Sequence, residues 1–339
     1  MLLCDKISEQ LANITQSILA DFDAGTNLKN RASYKEKIQR QVENFRDMVD
    51  ERKILAAEKL FGERFLGFPA LSRTFGLKEV EYQGKLPSLK FSFQELRRAA
   101  IRGDLLVLFM DRDEEGHPLT PVDMEERYRG ERRNKRDDSI FFNTQARSEN
   151  KALVGQTVRP GWAFVSTKGD QAVVEQEYGS SKTFEQINFL FNYLKSRYDV
   201  FNKGMRLPSF LSSFDQEIGQ LYEKTADFKE KDWRKRNLLL RESLFFREMF
   251  PSPVELLYIG LIHKMVTGQT FLPGYYVKSN YIDNEGYLMK VTSCYVDPDD
   301  GRGGFSFVGR EFISVMEKDK DKYCAVYFQR DRIKGGKER

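Results

Sequence analysis

The chain has 339 residues, 40% of them hydrophobic and 13% aromatic, which is material for more than one packed core and argues against disorder. Fifty-five Lys and Arg face 51 Asp and Glu, so the net charge of +4 does not by itself imply a nucleic-acid or membrane partner. The three cysteines, Cys4, Cys294 and Cys324, are odd in number and have no C-x-x-C spacing, which argues against a disulfide framework and a zinc knuckle and fits a reducing compartment. The start lacks a basic, then apolar, leader pattern, and no uncharged apolar run is long enough to span a bilayer, so the expectation is a cytoplasmic protein.

From the N-terminus, residues 1–68 read as a helical region. Ser33 and Glu36 have capping-box spacing, and Ile38, Val42, Phe45 and Val49 follow on one face, with Gly62 as the stop. This stripe needs a partner, either residues 5–22 or a second copy of the chain, which admits a homo-oligomer. "GFPALSRTFGLKEVEYQGKLPS" is punctuated by Gly and Pro and reads as a boundary.

A mixed α/β unit is expected over 85–203. "SFQELRRAAIRG" predicts a short helix opened by Ser92 and Glu95 and closed by Gly103, and "DLLVLFM" a buried strand. "DRDEEGHP" is a turn. Thr120, Pro121 and Asp123 then open another helix. "SIFFN", "GWAFVS" and "QAVVEQ" read as strands, and "KTFEQINFLFNYLKSRYDVF" as an aromatic-faced helix.

A helical segment, 204–268, follows, with "PSFLSSFDQEIGQLYEKTADF", "KEKDWRKRNLLLRESLFFREMF" and "SPVELLYIGLIHKMVTG" each read as one helix. The last has Ser252 as cap, Pro253 first and Glu255 at the box position. Over 269–330 the period changes to two. "FLPGYYVKS", "GYLMKVTSCYV", "GFSFVG" and "YCAVYFQ" predict an antiparallel β module, and 331–339 is a charged tail. The fold class expected is therefore α+β in several parts.

The stretches "FSFQELRRAAIRGDLLVLFMDRDEEGHPLT", "RPGWAFVS", "QINFLFNYLKSRY" and "SPVELLYIGLIHKM" together resemble a family of uncharacterised conserved proteins of Patescibacteria, the candidate phyla radiation, over roughly 85–312. That resemblance implies no catalytic residue. Its β-rich end, closed here by "GFSFVGR", is weakly similar to the C-terminal half of C-type-lectin-like folds.

No catalytic, cofactor or metal set is predicted. His117 and His263 are the only histidines. Asp111, Asp113 and Glu115 begin like a calcium loop with Gly116 at the sixth position, but Val122 stands where a bidentate Glu is needed. "DPDDGRGG" misses the calcium register by one residue and leads into a strand rather than the helix a phosphate loop requires, so it reads as a hairpin turn. Cys294 with His263 is a weaker nucleophile–base pairing, because a thiol in a strand-like run is usually buried and inert.

The leading expectation is a non-enzymatic protein that binds another protein or a ligand through the loops of the C-terminal β module. Tyr281, Asp283, Tyr287, Asp299 and Arg302 are its candidate contacts, since aromatic, Asp, Asn and Gly residues on turns suit recognition. The alternative is nucleic-acid binding through segments 127–136 and 229–236. Arg129, Arg132, Arg133 and Arg136 would neutralise phosphate there, and Trp233 with Arg234 would stack on bases. A third reading is an enzyme whose site is assembled from residues distant in sequence.

Overall fold

The computed structural model describes residues 51–78, 86–132, 155–166, 209–269, 271–272, 275–282, 284–286, 288–296, 303–308, 322–325 and 327–330. The chain divides into two compact units, Met1–Lys59 and Leu60–Arg339. Residues 51–61 are helical, which is the described end of the helix expected from Ser33 onward. Ser33 itself, residues 5–22, "SIFFN", "QAVVEQ" and "KTFEQINFLFNYLKSRYDVF" lie outside the described residues.

In the second unit the elements run β1 (Phe65–Leu66), α1 (Phe68–Phe75), α2 (Phe93–Arg102), β2 (Leu105–Phe109), α3 (Pro121–Arg132), β3 (Gly161–Ser166), α4 (Ser209–Thr225), α5 (Trp233–Glu242), α6 (Leu244–Met249), α7 (Pro253–Thr267), β4 (Tyr275–Ile282), β5 (Leu288–Val296), β6 (Gly303–Val308), β7 (Lys322–Ala325) and β8 (Tyr327–Arg330). The class is α+β.

Local chemistry accounts for most of these bounds. Ser92 and Glu95 form the expected capping box on α2, and Gly103 ends it at φ 84°, where a residue with a side chain would be strained. Ser252 and Glu255 form the same box on α7, with Pro253 in its first turn. The Thr120 and Asp123 side chains each accept from the other's backbone N–H at the start of α3. α1 departs from expectation, for Gly and Pro suggested a boundary there. Pro69 falls in the first turn, where no amide bond is lost, and Phe68, Ala70, Leu71 and Phe75 bury one face.

The single helix expected over "KEKDWRKRNLLLRESLFFREMF" is broken at Ser243. That residue is extended, and its hydroxyl accepts from Phe246 N–H to start α6. Glu217, reaching across from α4, accepts from the amides of Leu244 and Phe245, so the break is stabilised from outside the segment.

Two four-stranded sheets form, ordered β1-β2-β3-β8 and β6-β5-β4-β7. β2 is buried along its whole length and β3 over Trp162–Ser166, as strands covered on both faces should be. In the second sheet, β4, β5 and β6 are antiparallel and β7 joins β4 in parallel. "YCAVYFQ", expected as one strand, is divided between the sheets. β7 completes the second, while β8 pairs antiparallel with β3 in the first.

α7 is the centre of the packing. All ten residues from Pro253 to Ile262 are buried, and the helix packs on α1, α3, β4 and β5. A helix apolar on every side needs such a position. Its Tyr258 hydroxyl accepts from Met110 N–H at 3.1 Å and donates to Leu108 C=O at 3.0 Å, tying α7 to the end of β2. Arg159 and Asn280 both donate to the Arg247 carbonyl, so the last turn of α6 is held from the β3 side and from β4 together. Among the described residues no helix is long and apolar enough to cross a membrane.

Candidate functional site

The C-terminal module places a tight turn, residues 284–286, between β4 and β5. Gly286 takes φ 87°, and a Cβ there would lie 2.6 Å from the Arg234 carbonyl oxygen. The turn therefore rests directly on the backbone of α5, at a closeness only glycine permits. Asn237, buried in α5, donates to the Gly286 carbonyl at 3.0 Å. Arg241 donates to the Asn284 side chain at 3.1 Å. Positions 234, 237 and 241 share one helix face by their three- and four-residue spacing, and that face carries the hairpin.

The start of α5 is built by its own polar residues. A short 3-10 turn, Glu230–Asp232, precedes it. The Asp232 carboxylate accepts from Lys229 N–H at 3.1 Å and pairs with Lys235 at 3.2 Å. The Lys229 amide first, and then Lys235, hold its carboxyl below the usual value. Arg236 donates to the Phe228 carbonyl at 2.6 Å and so fixes the chain that enters the helix. Lys229, Lys231, Arg234 and Lys235 are exposed, and Trp233 is half-buried with the Arg234 guanidinium 5.3 Å from its ring centroid.

Two candidate surfaces that are separate in sequence thus meet. Trp233 and Arg234, from the nucleic-acid reading, lie on the helix that supports the hairpin of the β-module reading. Tyr281, at the end of β4, is half-buried. Arg129 and Arg132 lie on α3, which packs on α1 and α7. Asp283, Tyr287, Asp299, Arg302, Arg133 and Arg136 lie outside the described residues. The 297–302 segment joins β5 and β6, which pair antiparallel with Val296 opposite Gly303, the connection expected of a hairpin.

Sequence reasoning missed Asn237, Arg241 and Asn284. The one available signal was Asn237 itself, a polar residue three positions before Leu240 on a stripe that both share in burial. A buried amide needs a partner, but nothing in one dimension says that the partner is Gly286.

The other polar cluster follows β2. Asp113 is buried and accepts from Glu115 N–H at 3.0 Å, His117 N–H at 2.8 Å and Arg127 at 2.6 Å. Burial pushes its carboxyl up, but the His117 amide, Arg127 and the Glu115 amide outweigh burial and hold it below the usual range. Backbone bonds from Gly116 to Asp113 and from Leu119 to Asp111 close the turn. The Asp113 carboxylate, at the third position of the calcium-like loop, is engaged by its own loop and by α3. Among the described residues no group of three or more His, Cys, Asp or Glu is disposed to hold a metal ion.

Comparison of the chain with protein-family models, with curated proteins and with solved structures finds no match. The functional reading rests on the geometry alone.

Proposed function

We propose that this protein acts by binding, and that its recognition surface is the β4–β5 hairpin together with the N-terminal half of α5. The observation that carries this reading is the Asn237–Gly286 bond. It anchors the turn on a helix, so the exposed Asn284, Glu285, Arg234 and Lys235 are presented from a preorganised support. Binding costs less when the presenting loop is already ordered, and half-buried aromatics such as Tyr281 and Trp233 add contact area at small entropic cost.

A photo-crosslinking residue introduced at Glu285, at Arg234, or at the exposed Ile101 of α2 as a control tests this in the native host. The expected result is one shared adduct from positions 285 and 234 that is absent from position 101. Adducts that do not differ among the three positions, or none from 285 and 234, would reject the surface.

A further inference from the structure

We infer that the partner recognised at the α5 end of this surface is single-stranded nucleic acid; the inference rests on the binding surface proposed above and names its ligand class. The first argument is the placement of charge. Residues 229–236, "KEKDWRKR", hold five cationic residues against two acidic ones, a net of +3, whereas the whole 339-residue chain carries only +4. Residues 127–136 carry a larger net charge of +5, from six cationic residues and one acidic, but of the two segments only 229–236 contains a tryptophan. Four of its cations, Lys229, Lys231, Arg234 and Lys235, are exposed.

The second argument is the aromatic within the patch. Trp233 is half-buried, and the exposed Arg234 places its guanidinium over the indole ring, 5.3 Å from the centroid. A guanidinium held over an indole forms a layered planar pair on which an unpaired base can stack, either on the guanidinium or in its place on the ring, while the neighbouring lysines neutralise phosphates. A duplex keeps its bases paired and stacked and gains little from such a platform. An acidic protein would use the charges without needing the ring.

The supports of the patch are internal. Arg236 holds the Phe228 carbonyl, and Asp232 binds the Lys229 amide and Lys235. Asp232 and Glu230 reduce the effective charge to about three or four phosphates. The affinity for a single strand is then expected to fall with salt at a log–log slope of about −2 to −3.

The experiment is a fluorescence titration of the full chain with single-stranded oligothymidine, the corresponding duplex and polyglutamate, at several salt concentrations. The chain has two tryptophans, and Trp162 is only 3% exposed, so a change in accessible indole emission reports Trp233. The expected result is quenching by the single strand, weaker binding of the duplex, and the stated salt slope. For the variants, which lack the reporting indole or alter its surroundings, affinity is read from the anisotropy of a dye-labelled oligothymidine; Trp233→Ala should lower it about tenfold or more at fixed salt. Trp233→Phe, which keeps a ring, should recover most of it, and Lys231→Glu should weaken binding and flatten the slope. Equal affinity for polyglutamate and oligothymidine, or binding indifferent to Trp233→Ala in a folded variant, would overturn the proposal. If no oligonucleotide binds at low salt while positions 285 and 234 still crosslink a protein, the ligand class is wrong and the surface stands. If neither occurs, both are wrong.

Discussion

Asn237 and Gly286, forty-nine residues apart, are joined by a buried 3.0 Å hydrogen bond that fixes a β-hairpin turn to a helix. The same turn approaches α5 so closely that the Arg234 carbonyl occupies the place of a side chain at 286. Polar specificity and steric fit therefore coincide at one point.

Asn237→Ala should destabilise the protein by about 1–3 kcal/mol, because the Gly286 carbonyl loses a buried partner. Gly286→Ala should cost about 1–3 kcal/mol for its φ of 87° alone, with displacement of the α5 backbone adding to that. Urea unfolding of both variants, with the linear slope unchanged, checks the pair.

Tyr258→Phe keeps the ring that stacks with Phe109 and packs against Phe75, but removes the hydroxyl shared by Met110 and Leu108. A loss of about 1–3 kcal/mol is expected, since two buried backbone groups lose their partner. A loss of less than a few tenths in urea unfolding would mean that the hydroxyl does not tie α7 to β2.

Glu217 stands where the α5–α6 break needs acceptors. Glu217→Ala should cost about 1–2 kcal/mol, as loss of a helix N-cap does. The amides of Leu244 and Phe245 should also gain hydrogen-exchange rate relative to those of α7.

Among the described residues, His263 and Asp113 each contribute to the acid response. His263 is held below its usual pKa by burial, which outweighs the Gln269 carbonyl that favours its charged form. The unfolded chain therefore takes up this proton first. Stability is full above pH 6.5 and falls as pH drops from 6.5 through the lower folded value. His263→Gln should remove that part of the slope. Asp113, with its folded pKa below 3.8, gives stability present above 3.8 that is lost as pH falls further. Arg127→Met should move that loss to higher pH. Unfolding midpoints measured from pH 7 to pH 3 separate the two.

Much of the local structure was legible in the sequence, and for identifiable reasons. The boxes at Ser92–Glu95 and Ser252–Glu255 and the glycines at 103 and 268 mark helix ends through contacts within a few residues. The buried runs 105–109 and 161–166 are strands because short apolar segments bounded by turns have few other options. The break at Ser243 was not legible, since Glu217 on α4 stabilises it. Nor was α1, whose Gly and Pro punctuate the ends of a helix that burial of Phe68, Leu71 and Phe75 holds.

The candidate site divides in the same way. Sequence alone determined that 229–236 concentrates cations around a tryptophan and that 283–286 is a turn, because both follow from residue type and spacing. Only the tertiary structure decided that the 284–286 turn rests on the helix carrying that tryptophan, that the β7–β8 segment is divided between two sheets, and that Asp113 is engaged by Arg127. Hydrogen bonds across tens of residues depend on how helices and sheets pack, and periodicity shows that a face is buried without showing which element covers it.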